Sequence, residues 1–137
     1  MRNALWPHCT EQEHRAEMAA LIVQPERFAQ FIVRSAESEA LGFAEASLRF
    51  DYVNGTESSP VAFLEGLYVV PGVRRNGIAR LLVRAVAAWA AARGCTELAS
   101  NTPQANASNQ VVHRKLGFEE TERVVCFNLR IGSQTAA

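Results

Sequence analysis

A short segment from Gly72 to Leu82, GVRRNGIARLL, places two arginines, an asparagine and a glycine directly before an apolar, alanine-rich run. The first N–H groups of a helix lack partners within the helix, and the helix dipole makes that end positive. Gly77 lets the backbone approach a ligand closely, and Arg74 or Arg75 can add charge-assisted hydrogen bonds. The segment therefore predicts a phosphate site on the backbone of residues 76–79. The alternative is a solvated turn before an ordinary helix.

A single carboxylate, Glu65, interrupts the apolar run VAFLEGLYVV at Val61–Val70. Such a run is typical of a central strand that is buried on both faces, where an unpaired charge is costly. We interpret Glu65 as a residue that holds or deprotonates a cationic amine, because an alkylamine is mostly protonated at neutral pH and only the neutral amine is a nucleophile. The alternative is a bulge or edge residue that points to solvent.

The periodicity of the chain predicts the elements that position these residues. Thr10 and Glu13 form a capping-box pattern that opens a helix through about Ile22. The segment Ile78–Arg93 carries an apolar stripe and is typical of a helix packed on a sheet. The other predicted elements are strands in FAQFIVRS, EALGFAEASLRFDYV, TELAS and VVCFNLRI, and a second helix at Ser108–Leu116.

These elements predict an α/β (α+β) fold in the order α–β–β–β–α–β–α–β, with a mixed sheet flanked by helices. The chain has 137 residues, which suits one core. We expect a single domain over residues 1–131 and a flexible C-terminal tail over residues 132–137. Cys126 falls on the last apolar strand and is expected in the core.

Composition narrows the class of function. The 14 basic and 14 acidic residues balance to zero net charge, which argues against a general nucleic-acid binder. No apolar run is long enough to span a bilayer, and the N-terminal residues show no signal-peptide pattern. The three cysteines are widely spaced and form no CxxC, so we expect reduced thiols in a cytoplasmic protein and no metal site.

The loop and its flanks resemble a known family. Residues 74–79, RRNGIA, fit the (Gln/Arg)-x-x-Gly-x-(Gly/Ala) loop of the GNAT acyl-CoA-dependent N-acetyltransferases, and NASNQVVHRKLGF resembles that family's Asn-x(6)-Tyr-x-x-x-Gly-Phe segment. The stretches WPH, DYVNGTESSPVAFLEGLYVVP and GFEETERV are similar to the aminoglycoside 6′-N-acetyltransferases within it. The resemblance implies direct transfer of acetyl from acetyl-CoA to the 6′-amine of an aminoglycoside antibiotic, and a mostly antiparallel GNAT sheet.

The resemblance also implies roles for individual residues. The cofactor diphosphate would lie on the loop, and the backbone near Leu67 and Val69 would contact pantetheine and the thioester oxygen. His113 stands where many members have a tyrosine that protonates the leaving thiolate; the alternative is a packed helix face. The implied cofactor-binding residues are Leu67, Val69, Arg74, Arg75, Asn76, Gly77, Ile78, Ala79 and Asn106. The implied substrate-binding residues are Trp6, His8, Tyr52, Glu65, Asn101 and Glu122.

Two departures from the family pattern bear on these expectations. Asn101 stands in Ser100-Asn101-Thr102 where the family usually has aspartate; asparagine can bond sugar hydroxyls but is equally suited to a turn. The chain also begins at what resembles the middle of the family's first helix, so either its start is truncated or the fold lacks an edge strand. We expect the usual first strand to be lacking. An exposed sheet edge and the family's C-terminal strands, which often pack across a two-fold axis, predict a homodimer.

Two alternatives to the aminoglycoside acetyltransferase function remain. The first is a GNAT enzyme for another small amine or peptide amine, and the second is a degenerate acetyl-CoA-binding module.

Overall fold

The structure is a computed structural model that describes residues 1–132. Four helices and four strands make up the fold, and a short 3₁₀ turn at Pro71–Val73 follows the third strand. The helices are α1 (Arg2–Leu5), α2 (Glu11–Ile22), α3 (Ile78–Ala92) and α4 (Ala107–Lys115). The strands are β1 (Phe28–Arg34), β2 (Ala40–Arg49), β3 (Val61–Val69) and β4 (Leu98–Ala99). Among the described residues, no helix has the length and apolar character that crossing a bilayer requires.

The strands form one sheet, which is mixed as predicted, and their order in it is β1-β2-β3-β4. The β1–β2 and β2–β3 pairs are antiparallel, whereas β3 and β4 run parallel. The parallel pair is short, because β4 meets β3 at only two positions, Ala62–Leu98 and Phe63–Ala99. Beyond Phe63, the edge of β3 that faces β4 has no strand partner among residues 1–132. We call the space between residues 64–69 of β3 and residues 100–102 after β4 the β3–β4 cleft.

One face of the sheet is covered by α3. Ile78, Leu82 and Val86 follow the helical repeat and pack against Ala44 and Leu64 of the central strands. Leu82 and Val86 are almost fully buried, which ties the start of α3 firmly to β2 and β3. The predicted apolar stripe therefore fixes the position of the helix N-terminus beside the end of β3.

The opposite face of the sheet is covered by α1 and α2. Thr10 and Glu13 form the predicted capping box at the start of α2, with both hydrogen bonds present. Trp6 packs on the backbone of Gly66 so closely that a Cβ there would lie 2.7 Å from Cη2 of the indole. Gly66 is thus needed as a glycine because an indole ring occupies the space of its side chain.

The prediction of a last strand in VVCFNLRI is wrong for the described chain. Residues 118–131 form no helix or strand, and the expected core residue Cys126 is exposed. The apolar side chains of this segment have no sheet to pack against, and Phe127 is 93% exposed. The short helix α1 was not predicted, and the expected burial of the central strand holds only for its first half, Val61–Leu64. Residues 133–137 of the expected tail lie outside the described residues.

Candidate active site

The start of α3 is an open group of backbone donors. Gly77 is its N-cap with a φ of 78°, and no side chain caps the helix. A Cβ at Gly77 would meet nothing within 4 Å, so the space in front of this helix end is free. The other long helices differ, because Thr10 caps α2 and the Asn106 side chain caps α4. The N–H groups at residues 76–79 are therefore placed to bind an anion.

The two arginines of the loop have different surroundings. Arg74 donates from Nε to the carbonyl oxygen of Val69 at 2.8 Å, and its guanidinium lies over the ring of Tyr68. Arg75 has a φ of 69° and forms no ion pair within residues 1–132. Arg74 thus anchors the loop to the end of β3, whereas Arg75 offers a free positive charge beside the helix start.

The unpaired edge of β3 directs backbone N–H groups into the β3–β4 cleft. The N–H of Val70 bonds to Leu41 of β2, on the other edge. Successive N–H groups of a strand point to opposite edges, so those of Val69 and Leu67 point towards the cleft. These are the two positions whose backbone the sequence resemblance assigned to pantetheine and the thioester oxygen.

Glu65 sits on a β-bulge. Glu45 pairs with Gly66 while Ala46 pairs with Leu64, which leaves Glu65 as the extra residue. A bulge turns a side chain away from its regular direction, and here the carboxylate remains 38% exposed. Its Oε1 accepts a hydrogen bond from Ser47 Oγ at 2.6 Å and from Arg49 Nη2 at 2.8 Å. The bulge that we named as an alternative is present, and it presents a carboxylate that is oriented through one oxygen.

A pocket on the α2 side of the sheet contains Glu65 and two further carboxylates. Burial raises the pKa of Glu45 above its ordinary value, and the Arg2 guanidinium that contacts it opposes the rise. Arg2 also pairs with Glu17 at 2.6 Å and lies over the ring of Trp6. The pocket is lined by Arg2, Trp6, Glu17, Leu21, Phe28, Gln30, Glu45, Ala46 and Glu65. Arg2 is the cation that pairs with Glu17 and Glu45, so Glu65 is the carboxylate of this pocket that Arg2 leaves for a cationic ligand.

The other residues assigned to the substrate lie outside this pocket. His8 and Asn101 are exposed, and Tyr52 is 74% exposed. Glu122 lies close to the turn that follows Tyr52, because a Cβ at Gly55 would be 3.5 Å from the Cβ of Glu122. The structure therefore brings Trp6 to Glu65, and Glu122 to the loop of Tyr52, without joining the two groups into one pocket.

His113 faces the chain that leaves β4. Its Nε2 lies 2.8 Å from Ser100 Oγ, and its Nδ1 lies 2.8 Å from the carbonyl oxygen of Asn109. Asn109 Nδ2 donates to Thr102 Oγ1 at 2.9 Å. Two hydrogen bonds thus tie the loop to α4 on either side of Asn101. Asn106 uses its Oδ1 to cap α4, accepting from the N–H of Asn109 at 3.1 Å.

Sequence reasoning missed several polar partners of the candidate residues. Ser47 and Arg49 alternate with Glu45 along β2, and this period of two is a signal that places all three on the face of Glu65. The pairing of Ser100 with His113 has no such signal, because it depends on how α4 docks on the chain after β4.

The chain is similar to known proteins in both sequence and structure. The profile of the acetyltransferase (GNAT) family matches residues 1–118. The aminoglycoside N(6′)-acetyltransferase type 1 of Serratia marcescens is 48% identical over 132 residues, covering 96% of this chain and 90% of the relative. The enzyme of the same name from Salmonella typhimurium is 47% identical over 130 residues, which cover 95% of this chain and 88% of the relative.

Two solved structures extend the similarity to the fold. AAC(6′)-Iy in complex with the bisubstrate analogue CoA-S-monomethyl-acetylneamine matches with a TM-score of 0.88 and 46% identity, covering 95% of this chain and 87% of that one. AAC(6′)-Ih from Acinetobacter baumannii matches with a TM-score of 0.91 and 46% identity, and the match covers 96% of this chain and 88% of that one.

Proposed function

The chain belongs to the acetyltransferase (GNAT) family, and we propose that it transfers the acetyl group of acetyl-CoA directly to the 6′-amine of an aminoglycoside antibiotic. Such a reaction would confer resistance to the antibiotic. The observation that carries the proposal is the arrangement along β3. A bulge presents Glu65, the next residues direct N–H groups into the β3–β4 cleft, and the strand ends beside the uncapped start of α3. Donor and acceptor can therefore meet along a single strand.

The residues present fit acetyl-CoA as the acetyl donor. The open helix start and the free space at Gly77 suit a diphosphate, and Arg75 supplies the charge. The side-chain amide nitrogen of Asn106 is available to donate a hydrogen bond to the cofactor, because the cap of α4 uses only its Oδ1. The N–H groups of Leu67 and Val69 would bond the pantetheine chain and the thioester oxygen. Bound acetyl-CoA supplies an activated acetyl group, and the protein holds it in the cleft.

The Glu65 carboxylate suits the acceptor. A 6′-amine is mostly protonated at neutral pH, and it must lose a proton before it can attack a carbonyl carbon. Glu65 would take that proton, directly or through one water, while Ser47 and Arg49 fix its other oxygen. Trp6 would pack against a sugar ring, and His8, Tyr52, Asn101 and Glu122 would contact the rest of the molecule. His113 would return a proton to the thiolate that leaves.

A thiol-release assay with acetyl-CoA tests this function. We expect rapid release of CoA with kanamycin or tobramycin, and little with polyamines or peptides. Faster release with a polyamine or peptide would identify a GNAT enzyme for another amine. Binding of acetyl-CoA without release of thiol with any of these amines would identify a degenerate binding module.

Replacing Asn101 by aspartate is expected to increase activity. Asn101 is exposed between two anchored residues, so a carboxylate there would face a polycationic acceptor. A charge-assisted hydrogen bond contributes about 1.5–3 kcal/mol, or roughly ten- to hundredfold in kcat/KM, and we expect the lower end because the site is exposed. Steady-state kinetics should show the gain shrinking at high salt, since ions screen an exposed charge. An Asn101→Asp variant no better than wild type would show that this side chain does not face the acceptor.

We also propose a homodimer. The C-terminal segment carries alternating apolar side chains that lie open to solvent, with Val125 79%, Phe127 93%, Leu129 72% and Ile131 90% exposed. This period of two is typical of a strand with one buried face, and a second copy could cover that face and a free sheet edge. Light scattering at micromolar protein should give a dimer, and Phe127→Asp should shift it to monomer. Wild type that is only monomeric, with and without acetyl-CoA, would contradict this assembly.

We propose that the enzyme acts in the cytoplasm. Cys9, Cys95 and Cys126 are all free thiols, and thiols are kept reduced in that compartment.

A further inference from the structure

A serine–histidine pair links the end of β4 to α4. Ser100 Oγ lies 2.8 Å from His113 Nε2, and His113 Nδ1 lies 2.8 Å from the carbonyl oxygen of Asn109. A carbonyl oxygen only accepts, so Nδ1 carries a proton and donates it to Asn109. The ring of Phe118 packs on the imidazole in a T-shaped arrangement with centroids 5.2 Å apart, which fixes the plane of the ring. Nε2 is therefore the nitrogen that exchanges a proton with the Ser100 hydroxyl.

The serine–histidine pair lies at the closed end of the β3–β4 cleft, where the pairing of the two strands stops. The last paired residues of the two strands are Phe63 and Ala99. Ser100 comes one residue beyond this pair on one side of the cleft, and Glu65 comes two residues beyond it on the other. Ala99 packs with Phe63 on the face of Ser47 and Glu65, and Leu98 packs with Ala62 on the α3 face, so alternation places the Ser100 side chain on the α3 face. An acetyl group held in the cleft would therefore have the amine at Glu65 on one face and its sulfur on the face of Ser100.

We propose that Ser100 relays a proton from His113 to the sulfur that leaves during acetyl transfer, an inference that rests on the proposed function. The amine nitrogen bonds to the acetyl carbon and the C–S bond breaks, with its electron pair remaining on sulfur. The Ser100 O–H proton moves to sulfur while protonated His113 gives its Nε2 proton to Ser100 Oγ. His113 becomes the neutral ring, with Nδ1–H still bonded to Asn109. The ammonium group loses one proton through Glu65 to water before attack, and the nitrogen loses a second to water as the amide forms. Water returns one proton to His113, so one proton is released overall.

Histidine suits the relay because an imidazole gains and loses a proton near neutral pH. With both ring nitrogens engaged, His113 has no free N–H of its own to offer a sulfur atom. The serine hydroxyl is therefore needed as the group that passes the proton on, and a direct transfer from His113 would require the Ser100 bond to break.

A second hydrogen bond between the same two elements provides a matched control. Asn109 Nδ2 donates to Thr102 Oγ1, two residues after Ser100. This bond anchors the loop to α4 but contains no group that takes up or releases a proton at neutral pH. Thr102→Val removes it at nearly constant side-chain volume.

Steady-state kinetics of these variants tests the relay. Ser100→Ala should lower kcat about ten- to hundredfold. This loss lies at or below the lower end of the rate contribution of a general acid, because a thiolate can leave without being protonated first. Ser100→Thr should restore most of kcat, and Thr102→Val should resemble wild type. His113→Gln should match Ser100→Ala, and the double variant should be no slower than either, because residues that act as a unit are not additive.

Two readouts besides activity separate this inference from the proposed function. Calorimetry should give Ser100→Ala an unchanged affinity for acetyl-CoA. In nitrogen NMR of the imidazole, Ser100→Ala should shift the Nε2 signal of His113, while Thr102→Val should leave it in place. Failure of wild type to acetylate any amine would overturn the proposed function and the relay together. If wild type turns over normally, equal losses in Ser100→Ala and Thr102→Val, or additive losses in the double variant, would overturn the relay alone. An acetylated Ser100 in mass spectra would overturn the relay and direct transfer, while leaving the acceptor unchanged.

Discussion

Glu65→Gln is expected to lower kcat at pH 7 by about 10²–10⁴-fold, the range for loss of a general base. The amide keeps the size of the carboxylate, and its oxygen can still accept from Ser47 and Arg49, which now bond to Oε1. The fold should therefore be retained. The Arg49–Glu65 pair is partly exposed, so its loss should cost less than about 1 kcal/mol in the free energy of unfolding.

The pH dependence of this variant identifies the proton that Glu65 removes. An alkylamine has a pKa of about 10, so each pH unit below that value yields about ten times less neutral amine. Turnover by Glu65→Gln should rise with pH towards wild type, because the acceptor then loses its proton without help. The profile of turnover between pH 6 and pH 10 checks this expectation.

A surface pair provides the control for Glu65→Gln. Glu26 lies 3.6 Å from Arg93, at the opposite end of α3 from the loop. Glu26→Gln removes a carboxylate from an arginine pair as Glu65→Gln does, and it should leave the profile unchanged. If Glu65→Gln turns over like wild type at pH 7, proton removal lies elsewhere and the role given to Glu65 is wrong.

Gly77→Asp is expected to abolish most binding of acetyl-CoA. The left-handed φ of 78° is one that aspartate adopts more readily than most residues, and a Cβ there meets no neighbour. Its carboxylate would stand at the positive end of α3, beside the free N–H groups, and would add a negative charge where the diphosphate binds. The variant should therefore be stably folded while its own anion competes with the diphosphate.

Calorimetry with acetyl-CoA measures the effect. Each charge-assisted hydrogen bond lost should cost about 1.5–3 kcal/mol, so we expect at least a hundredfold weaker binding. Gly77→Asn has nearly the same shape without the charge, and it should bind more tightly than Gly77→Asp. Unchanged affinity in Gly77→Asp would mean that the diphosphate is bound elsewhere.

The predictable parts of the fold were those whose signals are local. The Thr10–Glu13 capping box set the start of α2, and the spacing of Ile78, Leu82 and Val86 set α3 and its packing. The glycine and the arginines before α3 predicted an anion site there, and the structure has the uncapped helix start that such a site needs.

The parts that escaped prediction depend on partners that are distant in the chain. The alternation in VVCFNLRI is real, but a strand also needs a neighbour that satisfies its backbone, and the described residues provide none. The surroundings of Glu65 come from β2, and those of His113 come from the chain after β4. No spacing within β3 or α4 could have indicated either pair.

The central claim is that this chain acetylates the 6′-amine of an aminoglycoside, and a matched pair of acceptors tests it most directly. Neomycin and paromomycin differ at the 6′ carbon, where the first has an amine and the second a hydroxyl. With acetyl-CoA, we expect thiol release and a singly acetylated product from neomycin, with NMR placing the acetyl group on the 6′ nitrogen, and no product from paromomycin. Equal acetylation of both acceptors, or an acetyl group on any other nitrogen of neomycin, would contradict the account.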